Sequence, residues 1–216
     1  MKLWRVTFTG ADNQTSQEEM LKISQEFEFV EWGILFGSKL DRCPSQEWLA
    51  KVPQGMNLSA HLCGTFVAAA MNGNFLPLES FNRIQLNFYK KRLETALNCQ
   101  PLLEAIRKLK QDVILGGNFN GVEISPDKLP PNVQILYDAS GGHGVSPKNW
   151  PEPAKHTAVG YAGGLRLENL EDQLQKIEEV AKDRSVWIDM ESGVRTDNRF
   201  DLDKVKQCLE ICSRYI

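Results

Sequence analysis

The sequence lacks the features that mark membrane, nucleic-acid-binding and secreted disulfide-rich proteins. No apolar run approaches the ~20 residues that a membrane-spanning helix needs. The formal net charge of -3 is too small to predict attraction to nucleic acid or to a membrane surface. The opening MKLWRVTFTG has no long apolar core of the signal-peptide kind and predicts a strand instead. We therefore expect a cytoplasmic protein without a nucleic-acid or membrane partner.

The cysteines do not predict a disulfide framework. They form an odd, scattered set of five with no Cys-x-x-Cys pair. Cys208 and Cys212 share a helical pattern, but the other ligands that a zinc site needs are missing around them. We expect reduced or buried thiols, since a chain of 216 residues buries a sizeable core without disulfide or metal.

What the sequence does contain is a regular alternation of strand and helix patterns. Short β-branched or aromatic runs predict eight strands. These are Leu3–Thr9, Phe29–Phe36, Asn57–Cys63, Arg83–Phe88, Asp112–Leu115, Gln134–Asp138, Thr157–Tyr161 and Ser185–Met190. Because strand–helix alternation is typical of a parallel sheet, eight such units favour a (β/α)8 TIM barrel of the α/β class, with an open doubly wound sheet as the alternative. No repeat or linker interrupts the order, so residues 1–216 are predicted to form a single domain.

Helical signals lie between these strands. A capping box, a proline at a first helical turn and two apolar periods near 3.6 residues predict four helices. The first helix begins at the capping box Ser16–Glu19, and the other three cover Pro101–Leu109, Glu168–Ala181 and Leu202–Cys212. The connections after strands five and six, Ser125–Leu129 and Ser146–Trp150, are only weakly helical.

Glycines follow the seventh and eighth strands, where a barrel usually builds its phosphate site. The pair Gly163-Gly164 follows one strand, and Ser192-Gly193 follows the other. Backbone amides without side chains can approach a ligand closely and bind phosphate oxygens. A tight turn is the alternative explanation for either pair. The fragment Gly141-Gly-His-Gly144 is not a dinucleotide fingerprint, because neither its spacing nor a following long helix fits.

Three motifs over Gln134–Glu210 resemble phosphoribosylanthranilate isomerase, the barrel enzyme of tryptophan synthesis that performs an Amadori rearrangement. They are Leu136-Tyr-Asp138 with Gly141-Gly-His-Gly144, then Ala162-Gly-Gly-Leu-Arg-Leu-Glu-Asn169, and finally Asp189-Met-Glu-Ser-Gly-Val194. The resemblance implies a barrel isomerase of the aldose–ketose type that acts on a phosphorylated sugar or sugar-amine. It also implies that Asp138 is the general acid. No organic cofactor is implied, because such a shift needs only proton transfers.

The first half of the chain departs from the family pattern. The family ends its first strand on a cysteine base, whereas Thr9 occupies that position here. A threonine hydroxyl is too weak a base near pH 7 to replace a thiolate without a partner. In the fourth strand, Asn87 and Phe88 replace a histidine and a glycine. The loop after strand two offers Lys39 and Arg42 where the family keeps a basic substrate-binding residue.

Several side chains are candidates for the missing base and for ligand binding. Asp12 follows strand one, and His61 shares the strand parity of Ser59, although a core histidine is the alternative. Asp189 and Glu191 are carboxylates that would raise the pKa of Asp138 if they lie near it. The candidate catalytic residues are Asp138, Thr9, Asp12 and His61. The candidate phosphate-binding residues are Gly142, Gly163, Gly164, Ser192 and Gly193. The candidate substrate-binding residues are Lys39, Arg42, Asn87, His143, Asp189 and Glu191.

Two other functions remain open beside an isomerase that takes a phosphorylated small molecule. Carboxylates and imidazoles suit a divalent metal in aldolase or epimerase chemistry. The candidate ligands are Asp138, His143, Asp189, Glu191 and His61. The other alternative is a binding protein that kept the phosphate site without catalysis. The oligomeric state is not determined by the sequence.

Overall fold

Eight parallel strands form a closed barrel in which each strand pairs with its neighbours in chain order. The computed structural model describes residues 1–37, 42–88, 90–117, 129–138 and 144–216, and of residues 90–92 the backbone only. The strands are β1 Lys2–Thr9, β2 Val30–Phe36, β3 Leu58–Leu62, β4 Arg83–Asn87, β5 Asp112–Gly117, β6 Val133–Asp138, β7 Val159–Ala162 and β8 Ser185–Met190. The predicted TIM barrel and its eight strands are confirmed, and the open sheet is wrong.

The helices of the described residues surround the barrel. They are α1 Gln17–Glu26, α2 Gln46–Leu49, α3 Thr65–Met71, α4 Lys90–Ala96, α5 Gln100–Lys108, α6 Leu170–Ala181 and α7 Leu202–Cys212. Within those described ranges, none is long and apolar enough to cross a bilayer. All five cysteines are thiols and not disulfides, as expected from their spacing.

The local signals for helices are confirmed where a cap or a clear period exists. Ser16 accepts a hydrogen bond from the backbone of Glu19 at 3.3 Å and so caps α1. The predicted bounds of α7 match the structure. The weak helix predicted over Ser146–Trp150 is wrong, because this segment forms only bends. Of the similar prediction at Ser125–Leu129, only Leu129 is described.

A hairpin follows the barrel and was not predicted. Its strands, β9 Arg195–Thr196 and β10 Arg199–Phe200, pair antiparallel. The two residues between them, Asp197 and Asn198, have φ values of 48° and 61°. Asparagine and aspartate tolerate this left-handed conformation better than other non-glycine residues, which permits the tight reversal. The hairpin extends the loop after β8 back toward the loops after β1 and β2.

The amino-terminal half of the barrel interior contains a buried ion pair. Arg83 donates from Nε to Glu31 at 2.8 Å and from a terminal nitrogen to Gln134, also at 2.8 Å. The rings of Trp4 and Trp187 lie 5.1 Å and 4.7 Å from the Arg83 guanidinium. Because two buried charges are tolerated only when they are paired and hydrogen-bonded, this cluster fills the lower barrel as structure. In TIM-barrel enzymes the active site lies at the opposite, carboxyl-terminal end of the strands.

Candidate functional site

Three side chains meet inside the carboxyl-terminal end of the barrel. The hydroxyl of Thr9, the last residue of β1, donates to Asp189 Oδ1 at 2.7 Å and lies 3.4 Å from His61 Nδ1. Thr9 and His61 are each 1% exposed, and Asp189 is 8% exposed. The barrel closes β1 between β2 and β8, so residues 180 positions apart become hydrogen-bonded neighbours. We call Thr9, His61 and Asp189 the mouth triad.

Asp189 holds its proton at an unusually high pH for a carboxyl group. Its pKa is raised to about 7, chiefly by burial. The charges of Glu191, Glu31 and Asp138 also raise this pKa, whereas the hydrogen bond from Thr9 lowers it. A carboxyl group that titrates near neutral pH can both accept and donate a proton, which is the property of a general acid–base catalyst.

His61 is buried as a neutral imidazole. Burial lowers its pKa to about 3; the charge of Glu31 raises this pKa, and that of Arg83 lowers it. Its Nε2 makes no hydrogen bond within the part of the chain that the structure describes. His61 therefore lies inside the barrel end, as strand parity predicted, but it differs from a satisfied core histidine because one ring nitrogen is unpartnered.

Gly33 makes the mouth triad sterically possible. A Cβ at this position of β2 would lie 2.2 Å from Thr9 Oγ1 and 2.9 Å from His61 Cε1. Contacts this short do not occur between real atoms, so any other residue would displace the triad. The sequence reading did not identify Gly33, because the need for glycine arises only where β1 and β3 flank β2.

Asp138 lies at the same level of the barrel as Asp189. The strand register pairs Asp138 with Ala162, and Ala162 in turn with Asp189. Adjacent strands lie about 4.8 Å apart, so the two aspartate backbones are separated by roughly 10 Å. The structure thus brings two of the predicted carboxylates to one end of the barrel, on either side of a small residue.

The loops after β6, β7 and β8 pack backbone against backbone through glycines. A Cβ on Gly164 would lie 2.1 Å from the amide nitrogen of Ser146, and one on Gly193 would lie 2.0 Å from the carbonyl oxygen of Leu165. Gly163 and Gly164 have φ values of 115° and 65°, which suit glycine best. We call Gly163, Gly164, Ser192 and Gly193 the glycine loops.

Two side chains hold the glycine loops together through hydrogen bonds. The hydroxyl of Ser146 donates to the carbonyl of Gly164 at 2.9 Å. Asn169 donates to the same carbonyl at 2.9 Å and to Ser146 Oγ at 3.3 Å. The role of Ser146 was not predicted, since its sequence neighbourhood indicated a weak helix. The predicted phosphate residue Gly142 lies outside the described residues.

Asp12 belongs to a separate cluster. Arg195 donates to the carbonyl of Gly10 at 2.8 Å and to Asp12 Oδ2 at 3.1 Å. The other oxygen of Asp12 accepts from the backbone of Gln14 at 3.0 Å. The structure therefore places Asp12 in the connection between the β1 loop and the hairpin. Arg195, which makes this connection, was not singled out from the sequence.

Arg42 and Asn87 lie at the rim and already have partners. Arg42 forms a 2.9 Å ion pair with Glu191 and donates to Asn198 at 3.3 Å. Asn87 donates to the Cys63 sulfur at 3.3 Å and accepts from Gln85 at 2.9 Å. The other two predicted substrate-binding residues, Lys39 and His143, lie outside the described residues.

The described residues contain no group of three or more metal-ligating side chains placed to hold an ion. Asp189 is engaged by Thr9, and Glu191 by Arg42. His143, which the metal hypothesis also used, is not among the residues that the structure describes.

The fold is similar to that of several solved barrel enzymes. TrpF from Jonesia denitrificans superposes with a TM-score of 0.67 at 14% identity, over 97% of this chain and 96% of its own. N-(5'-phosphoribosyl)anthranilate isomerase from Pyrococcus furiosus gives a TM-score of 0.59 at 17% identity, over 97% and 98%. A truncated 3-deoxy-D-arabino-heptulosonate 7-phosphate synthase from Thermotoga maritima gives 0.58 at 10% identity, over 99% and 86%.

These likenesses show the fold and leave the reaction open, because all three identities are below 20%. No protein-family model matches the chain, and no curated protein matches it significantly. The function therefore has to be argued from the site.

Proposed function

We propose that this chain is a TIM-barrel isomerase that acts on a phosphorylated sugar or sugar-amine by proton transfer. The observation that carries the proposal is Asp189, a buried carboxyl group at the carboxyl-terminal end of the barrel whose pKa is raised to about 7. TIM-barrel active sites lie at this end. The fold-level likeness to two isomerases supports the same reaction class.

Asp189 supplies the base that the first strand lacks. Thr9 occupies the position of the family's cysteine, and its hydroxyl donates directly to the Asp189 carboxylate. The base has therefore moved from the end of β1 to the adjacent end of β8. In its ionised form Asp189 removes the proton from the sugar carbon next to the reacting carbonyl or imine carbon.

Asp138 supplies the acid. Opening of the sugar ring needs a proton on the ring oxygen, and Asp138 on β6 lies at the same barrel level as Asp189 on β8, with Ala162 of β7 between them. One carboxyl group gives a proton while the other takes one, so the substrate changes its bonding without changing its composition. No electron acceptor enters the reaction, which is why no organic cofactor is assigned.

The glycine loops hold the phosphate in this proposal. At Gly164 and Gly193 the neighbouring loop lies too close to leave room for a Cβ. Backbone amides in such glycine-containing loops bind phosphate oxygens without a side-chain cation. Ser192 contributes an exposed hydroxyl at the same loop.

Turnover of phosphoribosylanthranilate, followed by the loss of its anthranilate-type fluorescence, tests the proposal. Activity that is abolished in Asp189→Asn and Asp138→Asn, and retained in the exposed helix variant Asp172→Asn, would establish the reaction and both roles. Binding of a reduced substrate analogue without turnover would reassign the chain to another phosphosugar or to a binding role. Absence of both turnover and phosphate-dependent binding would reject the proposal.

A further inference from the structure

Two side chains lie within hydrogen-bond distance of the Thr9 hydroxyl in the mouth triad. Thr9 Oγ1 lies 2.7 Å from Asp189 Oδ1 and 3.4 Å from His61 Nδ1, and a hydroxyl has a single proton to donate. The short bond goes to Asp189. The nitrogen at 3.4 Å then contacts the lone pairs of the hydroxyl oxygen, which is favourable only if that nitrogen carries a hydrogen. An ionised Asp189 therefore selects the Nδ1–H tautomer of His61.

Protonation of Asp189 reverses both hydrogen bonds. A protonated carboxyl group donates to Thr9 Oγ1, and the threonine proton then points to His61 Nδ1. That nitrogen must now be an acceptor, so the ring proton resides on Nε2. Nε2 is fully buried and has no partner among the described residues, so nothing there opposes the change. The tautomer of His61 is thus coupled to the charge of Asp189.

Burial keeps the imidazole neutral in both states. Glu31 and Arg83 face His61 from β2 and β4, and burial lowers its pKa to about 3. The charges of Glu191 just after β8, Glu31 on β2 and Asp138 on β6 raise the pKa of Asp189, which burial chiefly raises to about 7. A proton that reaches the triad near neutral pH is therefore held by the carboxyl group and not by the ring.

We infer that His61, Thr9 and Asp189 form a proton relay in which His61 Nε2 receives a proton and Asp189 stores it. The steps balance. A proton binds Nε2, the Nδ1 proton passes to Thr9 Oγ1, and the threonine proton passes to Asp189 Oδ1. Asp189 gains one proton, and the imidazole and the hydroxyl are regenerated. This inference rests on the proposed function and deepens it, because it links the charge of the proposed base to the protonation of a second side chain in the same site.

Nitrogen-15 NMR of the histidine rings in the free protein tests the relay without substrate. The three histidines are assigned with His143→Gln and His156→Gln variants. Between about pH 5 and pH 9 we expect His61 Nε2 to change from unprotonated to protonated as the pH falls. The midpoint should equal that of the Asp189 carboxyl carbon, with no imidazolium signal. A His61 ring that keeps one tautomer, or becomes cationic, while Asp189 titrates would overturn the relay.

Variants of Thr9 separate coupling through the hydroxyl from a general electrostatic effect. Thr9→Ser keeps the hydroxyl and should keep the shared midpoint. Thr9→Val keeps the shape and should leave the His61 tautomer independent of pH while Asp189 still titrates. Asp189→Asn should also abolish the pH dependence, because an amide does not titrate in this range. A shared midpoint that survives in Thr9→Val would contradict the inference.

The relay and the isomerase proposal fail independently. Coupled titration without turnover of any phosphosugar would retain the relay and reject the proposed reaction. Turnover without coupled titration would retain the reaction, with Asp189 acting alone, and would reject the relay.

Discussion

Glu191 lies two residues after Asp189 and accepts a 2.9 Å hydrogen bond from Arg42, which neutralises a charge close to the buried carboxyl group. Glu191 raises the pKa of Asp189 by repulsion between like charges. The ion pair between the β2 and β8 loops therefore adjusts the proton affinity of the site.

The first prediction follows from this pair. Glu191→Gln should lower the pKa of Asp189, because it removes a repelling charge, and Arg42→Met should raise it, because Glu191 loses its counter-charge. Titration of the Asp189 carboxyl carbon by NMR measures both changes. Equal pKa values in the two variants and the parent would show that the pair acts on loop structure only.

The second prediction concerns stability as a function of pH. Asp189 has a folded pKa of about 7 against an ordinary value of 3.8, so the folded state binds the proton more tightly than the unfolded state. Its contribution is fully present below the unfolded pKa and is lost as pH rises through the folded pKa. The difference amounts to on the order of 4 kcal/mol.

Asp189→Asn removes this dependence. Relative to the parent, the variant should gain free energy of unfolding between about pH 4 and pH 8. Urea unfolding at both pH values measures the gain, and Asp172→Asn on the exposed face of α6 is the matched control. A difference between Asp189→Asn and the parent that is independent of pH would contradict the raised pKa.

The third prediction concerns the stability contribution of His61, whose dependence on pH is opposite in sign to that of Asp189. The pKa of His61 is lowered to about 3 from 6.5, so the folded state binds this proton less tightly than the unfolded state. The contribution of His61 is present above the unfolded pKa and is lost as pH falls toward the folded pKa. His61→Gln should therefore gain stability relative to the parent at about pH 4 compared with pH 8. His156→Gln, an exposed histidine, should show no such gain.

The fourth prediction concerns the glycine that admits the triad. Gly33→Ala would place a Cβ 2.2 Å from Thr9 Oγ1, so the side chains or the strand must move. We expect a loss of about 1–3 kcal/mol in the free energy of unfolding, as for other overpacked cores. Gly37→Ala is the control directly after β2, because its Cβ would lie 3.4 Å from Cys63 Cβ, the nearest atom of the described residues, which is an ordinary contact. Equal free energies of unfolding for Gly33→Ala and Gly37→Ala would mean that the triad leaves room for a Cβ at Gly33 and would contradict the prediction.

The fifth prediction concerns phosphate. Gly193→Ala would bring a Cβ within 2.0 Å of the Leu165 carbonyl oxygen and would separate the β7 and β8 loops. Affinity for inorganic phosphate, measured by calorimetry, should fall at least about tenfold, which corresponds to about 1.4 kcal/mol. Gly37→Ala should bind phosphate like the parent. Unchanged affinity in a folded Gly193→Ala protein would remove the glycine loops from the phosphate site.

The parts of the fold that depend on local chemistry could be predicted from the sequence. Each strand is a short β-branched or aromatic run, and α6 and α7 repeat apolar residues at the helical period. Helices α2 to α4 were missed, because they are short and lack a strong period. The hairpin at Asp197 and Asn198 was missed because it contains no glycine.

The candidate site was predictable in part. The positions of Thr9, Asp138, Asp189 and the glycines follow from where each strand ends, since all parallel strands of a barrel end on one side. Which of these residues touch could not be predicted, because contact depends on barrel closure and on strand register. Asp12 lies one loop away from the triad and pairs with Arg195, a residue 183 positions further along the chain.

The sequence by itself determined the order of elements, the barrel and the set of polar side chains available at its carboxyl-terminal end, because these depend on periodicity and on strand direction. Only the tertiary structure decided the chemistry of that set. Closure of β1 against β8 placed the Thr9 hydroxyl on Asp189, and Gly33 left room for His61 beside them. Burial in the closed barrel then raised the pKa of one carboxyl group toward neutrality, and burial is a property of the assembled structure and not of any segment.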